Sequence, residues 1–522
     1  MKITTTTNRF ETDDAGLAAL LVPREDLVLE ARDPAPRSDG AHQFICAEGP
    51  FEHYERTVVA TAAGPGRLHI EEAIRWRSAI PLWGRIFRPL IERQLQRTKA
   101  PPAPDEDQPA APWWSPPSRL DARASAILSR LCGLSMLAGY LGTTLTQTLT
   151  FAADEFGASQ AAQGTTLSAV RVGVLLSLVL MGAADRRGRK RLLTVCAVGG
   201  AVASAAGALS PSLWVLGGTQ TFARAFSTAL ALLIGVVAAE EMPAGGRAYA
   251  ASVLAMTAAL GAGLAVALVV FADAAPWAWR IIYVVPVLLL GLFLKVADRL
   301  PESRRFVRPH GQATLRGHRG RLALLGASGF FALLFLAPVS QFQNEFLKDE
   351  HGFSAPMLAL FTFATSTPAG IGIVVGGKLA DQRGRRIVGA IGMVGGAAFL
   401  ALSYQLSGPG IWLAWLMGAT LAAMTVPALG VYGPELFPTA LRGKANGLIT
   451  VGSVVGSAVG LTVAGRLGDH FGRLGPGIAM LGLGPLVVAA LVILFYPETA
   501  HLELEELNPE DALGTRLAPP ML

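Results

Sequence analysis

The pattern of polar and apolar positions changes near residue 124. The first 120 residues are polar and interrupted by prolines, whereas residues 124–496 consist mainly of long apolar runs. A helix needs roughly 20 apolar residues to cross about 30 Å of hydrocarbon. Twelve runs meet this requirement and are predicted to span a membrane, at residues 124–150, 162–184, 191–210, 212–239, 248–271, 280–298, 321–343, 356–380, 387–407, 410–432, 445–466 and 475–496.

The segment before these runs predicts a small separate domain. Alternating positions at residues 26–31, 54–61 and 67–77 predict antiparallel strands, and apolar residues on one face of 82–95 predict a helix. Residues 1–98 are therefore predicted to form a small cytoplasmic α+β domain, whose pattern resembles helix-grip lipid-binding domains. The alternative is a basic amphipathic helix on the anionic inner leaflet, with Arg85, Arg88, Arg93 and Arg97 on its polar face. A proline-rich linker is predicted at residues 99–123.

Composition supports lipid as the solvent of the main segment. The chain is 52% hydrophobic and only 16% charged, with a mean hydropathy of +0.44, whereas a soluble domain averages roughly 25% charged residues. The net charge of +6 comes largely from arginine clusters between apolar runs, which favours membrane topology over nucleic-acid binding. The three cysteines predict no disulfide framework, and no spacing predicts a metal site or a cofactor.

The basic residues also predict the orientation of the chain. One set of connections between the runs is rich in arginine, and the opposite set carries only Arg280, Lys348, Arg466 and Arg473. Because basic loops stay on the cytoplasmic side, and because the N-terminus has no apolar signal segment, both termini are predicted to be cytoplasmic. We expect a multi-pass integral protein of a bacterial plasma membrane.

Three motifs occur twice in the same order. Asp185-Arg186-Arg187-Gly188-Arg189-Lys190 returns 196 residues later as Asp381-Gln382-Arg383-Gly384-Arg385-Arg386. Glu240-x-x-Pro243-x-x-x-Arg247 returns as Glu435-x-x-Pro438-x-x-x-Arg442, and Pro301-Glu302-Ser303 returns as Pro497-Glu498-Thr499. A repeat of this length predicts two six-helix halves, 124–300 and 321–496, with a cytoplasmic loop at 301–320 and a cytoplasmic tail at 497–522.

These motifs resemble those of the major facilitator superfamily, in particular its sugar-porter and metabolite-transporter branches. The resemblance covers Ala124 to Leu504 and implies an all-α membrane protein of twelve transmembrane helices in two halves, which work by alternating access. It also implies that the motif residues form ion pairs and turns that hold the cytoplasmic side closed. The alternative is that they only set topology. The implied gating residues are Asp185, Arg186, Gly188, Arg189, Glu240, Pro243, Arg247 and Glu302 in the first half, and Asp381, Arg383, Gly384, Arg385, Glu435, Pro438, Arg442 and Glu498 in the second.

Two arginines inside predicted spans point to the substrate. An intramembrane arginine is costly and is by default a functional hypothesis, and Arg171 and Arg224 have no Asp or Glu deep in any span to neutralise them. Together they predict an anionic solute. The alternative is structural: Arg224 bonds neighbouring helices, and Arg171 reaches Asp154 or Glu155. Further candidates for the substrate cavity are Thr144, Gln147, Gln341 and Thr365.

The coupling ion is left open by the sequence. Metabolite–proton symporters that the chain resembles often carry aspartates around a Gly-aromatic pair in the first helix, but here the stretch is Ala138-Gly139-Tyr140-Leu141. Asp154 and Glu155 are the substitute candidates for a proton site, and uniport or exchange remains open.

The predicted function is secondary active or facilitative transport of a small organic solute, with an anion as one substrate class and a sugar or an exported drug as the alternative. A membrane sensor that signals through the N-terminal domain is a second hypothesis. Apart from the solute, the bilayer and a proton or another coupling ion, no partner is predicted, and we expect a monomer. No set of nucleophile, base and orienting residue can be assembled from the spans, so the chain is not predicted to be an enzyme.

Overall fold

The computed structural model describes residues 3–33, 41–64, 66–96, 114–116, 119–243, 246–300, 316–437 and 441–499. Within these ranges, side chains are not described at 182–187, 239, 247, 248, 316, 374, 378, 381, 434 and 442–444.

The N-terminal residues form a five-stranded antiparallel sheet with two helices. The strands are β1 (Thr4–Thr12), β2 (Leu29–Arg32), β3 (His42–Glu48), β4 (Phe51–Gly64) and β5 (Arg67–Ser78), in the spatial order β1-β5-β4-β3-β2. The helices are α1 (Asp14–Leu20) and α2 (Gly84–Gln96). The three predicted strands are present, whereas β1 and β3 were missed. The sequence of β1, TTTTNRFET, carries little apolar alternation and pairs with β5 through its backbone.

Helix α2 belongs to the core of this domain. Its apolar residues Ile91 and Leu95 are fully buried in one cluster with Ile74 and Trp76 of β5. Arg24 at the edge of the sheet donates to the backbone oxygens of the last turn of α2. The apolar residues of the last turns of α2 are therefore covered by protein, although Ile86 in its first turn is exposed. This packing favours the α+β domain over a helix lying on the lipid surface.

From residue 119 onward the described residues are mainly helical and form two groups, one before and one after residues 301–315. The N-half contains α3 (Ala122–Phe156), α4 (Gln160–Arg187), α5 (Arg189–Gly207), α6 (Leu213–Glu241), α7 (Arg247–Leu268), α8 (Trp279–Leu288) and α9 (Leu290–Asp298). The C-half contains α10 (Arg319–Gln341), α11 (Gln343–Glu345), α12 (Ala355–Ser366), α13 (Ala369–Arg383), α14 (Arg385–Ser403), α15 (Pro409–Ala423), α16 (Thr425–Gly430), α17 (Tyr432–Glu435), α18 (Arg442–Phe471), α19 (Leu474–Leu481) and α20 (Leu483–Phe495). Short 3-10 segments cover Val269–Ala274 and Arg316–His318, and a π-helical turn covers Phe346–Glu350.

Eleven of the twelve predicted spans are long and apolar enough to cross a membrane in the part of the chain that is described. The exception is α5, a 19-residue helix whose first turn holds Arg189, Lys190 and Arg191. Several other spans that the sequence predicts as one continuous helix are broken in the structure. The predicted spans at 280–298, 356–380, 410–432 and 475–496 are each divided into shorter helices. A proline, which lacks the N–H donor of the helical hydrogen-bond ladder, lies within a few residues of each division.

Glycines set the closest helix contacts within each half. A Cβ at Gly139 of α3 would overlap the backbone carbonyl of Ala258 on α7, and one at Gly261 of α7 would overlap that of Met136 on α3. In the C-half, Gly456 and Gly460 of α18 meet the backbone of α10 in the same way. The first and fifth spans of each half therefore pack backbone against backbone, as small residues allow in membranes.

The two ends of the bundle differ in how the halves meet. We call the end where α3 begins and the N-terminal domain docks the domain side, and the opposite end, where α3 finishes at Phe156, the far side. On the far side α4 packs against α18, where Gly164 lies under the Leu461 carbonyl. One helical turn further along α4, the Ser168 hydroxyl lies 2.8 Å from that of Thr462. The halves are thus closed against each other toward the far side.

Candidate functional site

A small cavity of about 20 Å³ lies between α3, α4, α6 and α10. Its polar lining brings together Arg171, Arg224 and Gln341, three of the residues predicted from the sequence, with Thr146 and Gln220. Three of the four helices belong to the N-half and α10 belongs to the C-half, so the cavity lies where the halves meet.

Two glycines place the arginines. A Cβ at Gly173 would overlap the Thr221 carbonyl, so its absence lets α4 pack closely against α6 beside Arg224. Gly142 of α3 has an exposed carbonyl oxygen that accepts a hydrogen bond of 2.9 Å from Nη1 of Arg224. If Arg224 has only a structural role, a bond of this kind to a neighbouring helix is expected. The same bond also fixes the guanidinium group at the cavity wall.

Arg171 has no carboxylate partner among the described residues. The acids that the structural alternative offered it are engaged elsewhere: Asp154 pairs with Lys348, while Glu155 accepts from Arg280 and from Trp279 Nε1, each at 2.7 Å. The expectation that Arg171 reaches Asp154 or Glu155 is therefore not met. The cavity presents two cationic groups that repel each other, a charge pattern complementary to an anion.

The other predicted cavity residues divide into two groups. Gln341 accepts a hydrogen bond of 2.8 Å from Thr146 across the halves, and Gln147 accepts one of 3.1 Å from Asn344. Thr144 and Thr365 are buried and each donates to its own helix backbone one turn earlier, at 2.8 and 2.7 Å, so neither lines this cavity.

Glu345 is a buried acid at the interface that sequence reasoning missed. Its side chain accepts a hydrogen bond of 2.7 Å from Gln163 of α4, again across the halves. The seventh span was predicted to end at residue 343, but helical structure continues through α11 and the π-turn to Glu350. The available signal was the spacing of Gln341 and Glu345, which places both on one helix face.

On the domain side, the repeated motifs form the same ion pair in each half. Arg189 pairs with Glu240, and Arg385 pairs with Glu435. The glycine before each arginine adopts nearly the same backbone conformation, φ 93° and ψ 144° at Gly188 and φ 95° and ψ 142° at Gly384. This positive φ favours glycine, which explains why the motif requires it.

The second motif copy includes a helix cap. The Glu498 carboxylate accepts the backbone amides of Arg385 at 2.9 Å and Arg386 at 3.2 Å. Arg385 Nη1 also donates to Thr499 Oγ1 at 2.8 Å. Pro243 and Arg383 are exposed. The remaining gating candidates lie outside the described residues or have undescribed side chains: Asp185, Arg186, Arg247, Glu302, Asp381, Pro438 and Arg442.

The sequence profile of the Major Facilitator Superfamily matches residues 131–345 and again residues 325–519. The cis,cis-muconate transport protein of Acinetobacter baylyi is 25% identical over 371 residues, which cover 64% of this chain and 87% of that protein. The inner membrane metabolite transport protein YhjE of Escherichia coli is 25% identical over 249 residues, which cover 44% of this chain and 56% of that protein.

Solved structures show the same fold. The inward-open xylose transporter XylE of E. coli has a TM-score of 0.61 at 19% identity, covering 74% of this chain and 99% of that one. The nucleoside transporter NupG has a TM-score of 0.58 at 13% identity, covering 71% of this chain and 100% of that one. The predicted two-half membrane fold is confirmed, as is the small sheet domain before it.

Proposed function

Since the chain belongs to the Major Facilitator Superfamily, we propose that it is a secondary transporter that moves a small organic anion across a bacterial plasma membrane by alternating access. It is a multi-pass membrane protein whose relatives are solute transporters and not enzymes. The main support for an anionic solute is that Arg171 and Arg224 line one cavity and that neither pairs with a carboxylate among the residues described.

The charge balance of the cavity supports this substrate class. An anion that enters after the halves have moved apart and enlarged the cavity would exchange its hydration for contacts with two guanidinium groups. Arg171 offers it a planar set of donors suited to a carboxylate or phosphate. The side chains of Gln341, Gln220 and Thr146 add neutral polar groups that orient a ligand without opposing its charge. The muconate carried by the Acinetobacter relative is a small dicarboxylate, which fits this chemistry.

The contacts between the halves support alternating access. The bonds Thr146–Gln341, Gln147–Asn344 and Gln163–Glu345 join the halves at and beyond the cavity toward the far side. In our proposal the domain side is cytoplasmic, both termini lie there, and this conformation has its external side closed. The cycle would break these bonds when the far side opens.

In this proposal the ion pairs on the domain side stabilise each half as a unit that moves during the cycle. The Arg189–Glu240 and Arg385–Glu435 pairs lie within each half and fix the ends of the second, third and fourth spans as a unit. Such a unit can move as a rigid body when the halves rock. The role of these residues is conformational, and none of them contacts the cavity.

Uptake into proteoliposomes tests the anion proposal. With radiolabelled cis,cis-muconate as the anionic probe, Arg171→Gln and Arg224→Gln are each expected to lower uptake about 10- to 100-fold, because a bond to a charged group contributes about 1.5–3 kcal/mol. Arg171→Lys keeps the charge and should retain more activity than Arg171→Gln. Arg473→Gln, an exposed arginine on the far side, is the matched control and should leave uptake unchanged.

The competing substrate class is tested in the same vesicles. If D-xylose, a neutral probe, is taken up and neither Gln variant affects it, the anion proposal is wrong and the sugar alternative is favoured.

A specific observation keeps the sensor hypothesis as a second candidate. The N-terminal domain contacts the spans directly, through a bond of 3.2 Å from Trp83 Nε1 to the backbone oxygen of Ser129. Trp114 of the linker, whose ring packs on Phe87 of α2, accepts a bond of 3.0 Å from the Tyr249 hydroxyl at its backbone oxygen. Ser129 lies two turns inside α3 and Tyr249 lies on α7, so a movement of either helix would reach the domain.

A further inference from the structure

Glu345 has a setting unlike the other far-side acids. It is 4% exposed, on the short helix α11 between α10 and the π-turn. Gln163 of the opposite half donates to its Oε1 atom at 2.7 Å. Asp154 and Glu155, in contrast, are paired with Lys348 and Arg280 and are partly exposed. Asp273 and Asp469 also bond to the opposite half, but both are exposed. Separation of the halves would therefore bring Glu345 from a buried into a hydrated setting, which it would not do for these other acids.

One oxygen of this carboxyl group is buried with few donors around it. Glu345 Oε2 accepts no well-aligned hydrogen bond from any described residue. The groups that interact with the carboxyl group besides Gln163 are the Thr150 hydroxyl of α3 and the Asp349 carboxyl group. Burying an ionised carboxylate with too few donors is expensive. A protonated carboxyl group would be neutral and could donate to an acceptor at this position.

The charged groups of the neighbouring elements do not supply a cation for it. On its own segment, Asp349 adds negative charge, and Lys348 pairs with Asp154 of α3 and, at 3.7 Å, with Asp349. From α4 the facing group is the neutral Gln163. On α18, Asp469 accepts the backbone amide of Ala161, and Arg466 and His470 are exposed. Helix α12 has no charged residue, and the arginines of α10 lie at its domain-side end.

This environment favours the protonated form. Burial raises the pKa of Glu345 from 4.5 to about 7, and the nearby Asp349 adds to the rise. When the far side opens, water would surround the carboxyl group and its pKa would fall back toward the ordinary value. Proton affinity at Glu345 is therefore linked to closure of the far side.

A line of polar side chains connects Glu345 with the arginine cavity. Gln341 is one helical turn before Glu345 on the same face and lines the cavity. Beside it, Asn344 donates to Gln147 of α3 at 3.1 Å, and Thr146 donates to Gln341. These groups provide hydrogen-bonding partners for water between the carboxyl group and the cavity once the domain side opens.

We propose that Glu345 is the proton-binding residue of the transport cycle, taking up a proton as the far side closes and releasing it toward the Arg171–Arg224 cavity when the domain side opens. This inference rests on the proposed transport function. In the first step a proton from far-side water forms an O–H bond at Glu345. In the second step that bond breaks and the proton passes to cavity water, so no other reactant is needed.

The direction of the pH effect follows from the raised pKa. The closed far side is fully stabilised below the ordinary value of 4.5 and loses that contribution as the pH rises through about 7. The fraction of molecules with an open far side should therefore increase between pH 5 and pH 8.5.

Spin labels across the far side measure this linkage without any solute. In full-length chain with its native cysteines replaced, labels at Ser159→Cys in the N-half and His470→Cys in the C-half report the separation of the halves. Between pH 5 and pH 8.5 the ratio of separated to closed distances is expected to rise more than about tenfold, since one unit of pKa corresponds to a tenfold change. Glu345→Gln, which mimics the protonated group, should remain closed at both pH values.

Two further variants keep the test sharp. Glu350→Gln is the matched control, because Glu350 is on the same segment but accepts the Leu474 amide within its own half; its pH response should persist. Asp349→Asn removes a negative neighbour and should move the midpoint to lower pH. The proposal is overturned if the native chain shows no pH response, if Glu345→Gln keeps it, or if Glu350→Gln abolishes it.

Uptake of cis,cis-muconate by the same proteoliposomes separates this inference from the transport function. We expect Glu345→Gln to exchange the probe across the membrane but to lose the response of net uptake to an imposed pH gradient. If Glu345→Gln loses the pH response of the spin labels but neither the native chain nor any variant takes up the probe, the transport proposal is rejected and the proton site is retained. Native-like dependence of uptake on the gradient in Glu345→Gln would reject the proton site and retain transport.

Discussion

At the scale of single residues, the buried charged side chains fall into two classes: those that form ion pairs and those that do not. In the N-terminal domain, Arg56 is buried but is fully occupied by Glu30 at 2.6 Å and Glu72 at 3.3 Å. Arg171 is half-buried in the span formed by α4, and Glu345 is buried just beyond the span formed by α10; among the described residues, neither forms an ion pair. Because an unpaired buried charge is costly, its retention points to a ligand or a proton, whereas the paired charges contribute to structure.

The sequence identified the residues of the cavity better than it identified the acid. Arg171, Arg224 and Gln341 were predicted because charged and amide side chains stand out in apolar runs. Glu345 was missed because hydropathy places the end of a span where polar residues begin, and the π-turn that extends this helix has no apolar signal of its own. The placement of Thr144 and Thr365 against their own helices is likewise a matter of rotamer, which sequence does not specify.

The domain-side ion pairs give a prediction at this scale. Glu240→Gln and Glu435→Gln should each lower muconate uptake several-fold, because the variant weakens a contact that organises the gate. The midpoint of thermal unfolding should also fall, because Arg189 and Arg385 are only 12% and 15% exposed and each loses an anionic partner. Initial uptake rates and melting in detergent check both statements.

Glu92→Gln is the control for these two variants. It breaks the exposed pair of Arg88 and Glu92 in the N-terminal domain and should change neither property. Normal uptake in both gate variants would show that the pairs serve topology alone.

At the scale of helices and strands, the sequence predicted the positions and lengths of the membrane spans well, but it did not predict where a span breaks into shorter helices. The length of an apolar run locates each span, because the thickness of the bilayer fixes how many apolar residues a spanning helix needs. Whether the rod bends at Pro368 or at Gly482 depends on packing against neighbouring helices, which the run does not record. In the N-terminal domain the same limit applies to β1, whose threonines are held by pairing with β5 and not by an apolar face.

The glycine contacts between α10 and α18 give a prediction at the scale of elements. A Cβ at Gly456 would overlap the Phe330 backbone carbonyl, so Gly456→Ala should destabilise the C-half by about 1–3 kcal/mol through overpacking. Thermal unfolding in detergent should show a lower midpoint. Gly235→Ala on α6 is the matched control, because nothing lies within 4 Å of the added Cβ; it should be neutral or slightly stabilising. Equal midpoints for the two variants would contradict the close packing.

At the scale of the whole molecule, a duplicated pair of halves carries an asymmetric cavity. The motifs on the domain side are repeated with nearly the same geometry, as Gly188 and Gly384 show. The cavity arginines occur only in the N-half, while Gln341 and Glu345 come from the C-half. The repeated motifs are therefore suited to the movement that both halves make during the cycle. The residues that differ between the halves are suited to selecting the solute and the coupling ion.

The added N-terminal domain is the feature that the two functional hypotheses explain differently. For a transporter its contacts with α3 and α7 are accessory or regulatory. For a sensor they are the output, and the spans need only bind solute and change conformation. The domain was predicted from strand alternation, but its docking at Ser129 could not be, because a contact between separately folded parts leaves no periodic signal in either one.

The most direct test is exchange of radiolabelled cis,cis-muconate across proteoliposome membranes, measured for the full chain and for a chain that begins at Arg119. The account predicts saturable exchange by both, and its loss in Arg171→Gln. Saturable binding of the probe by the full chain without any exchange would contradict transport and favour the sensor.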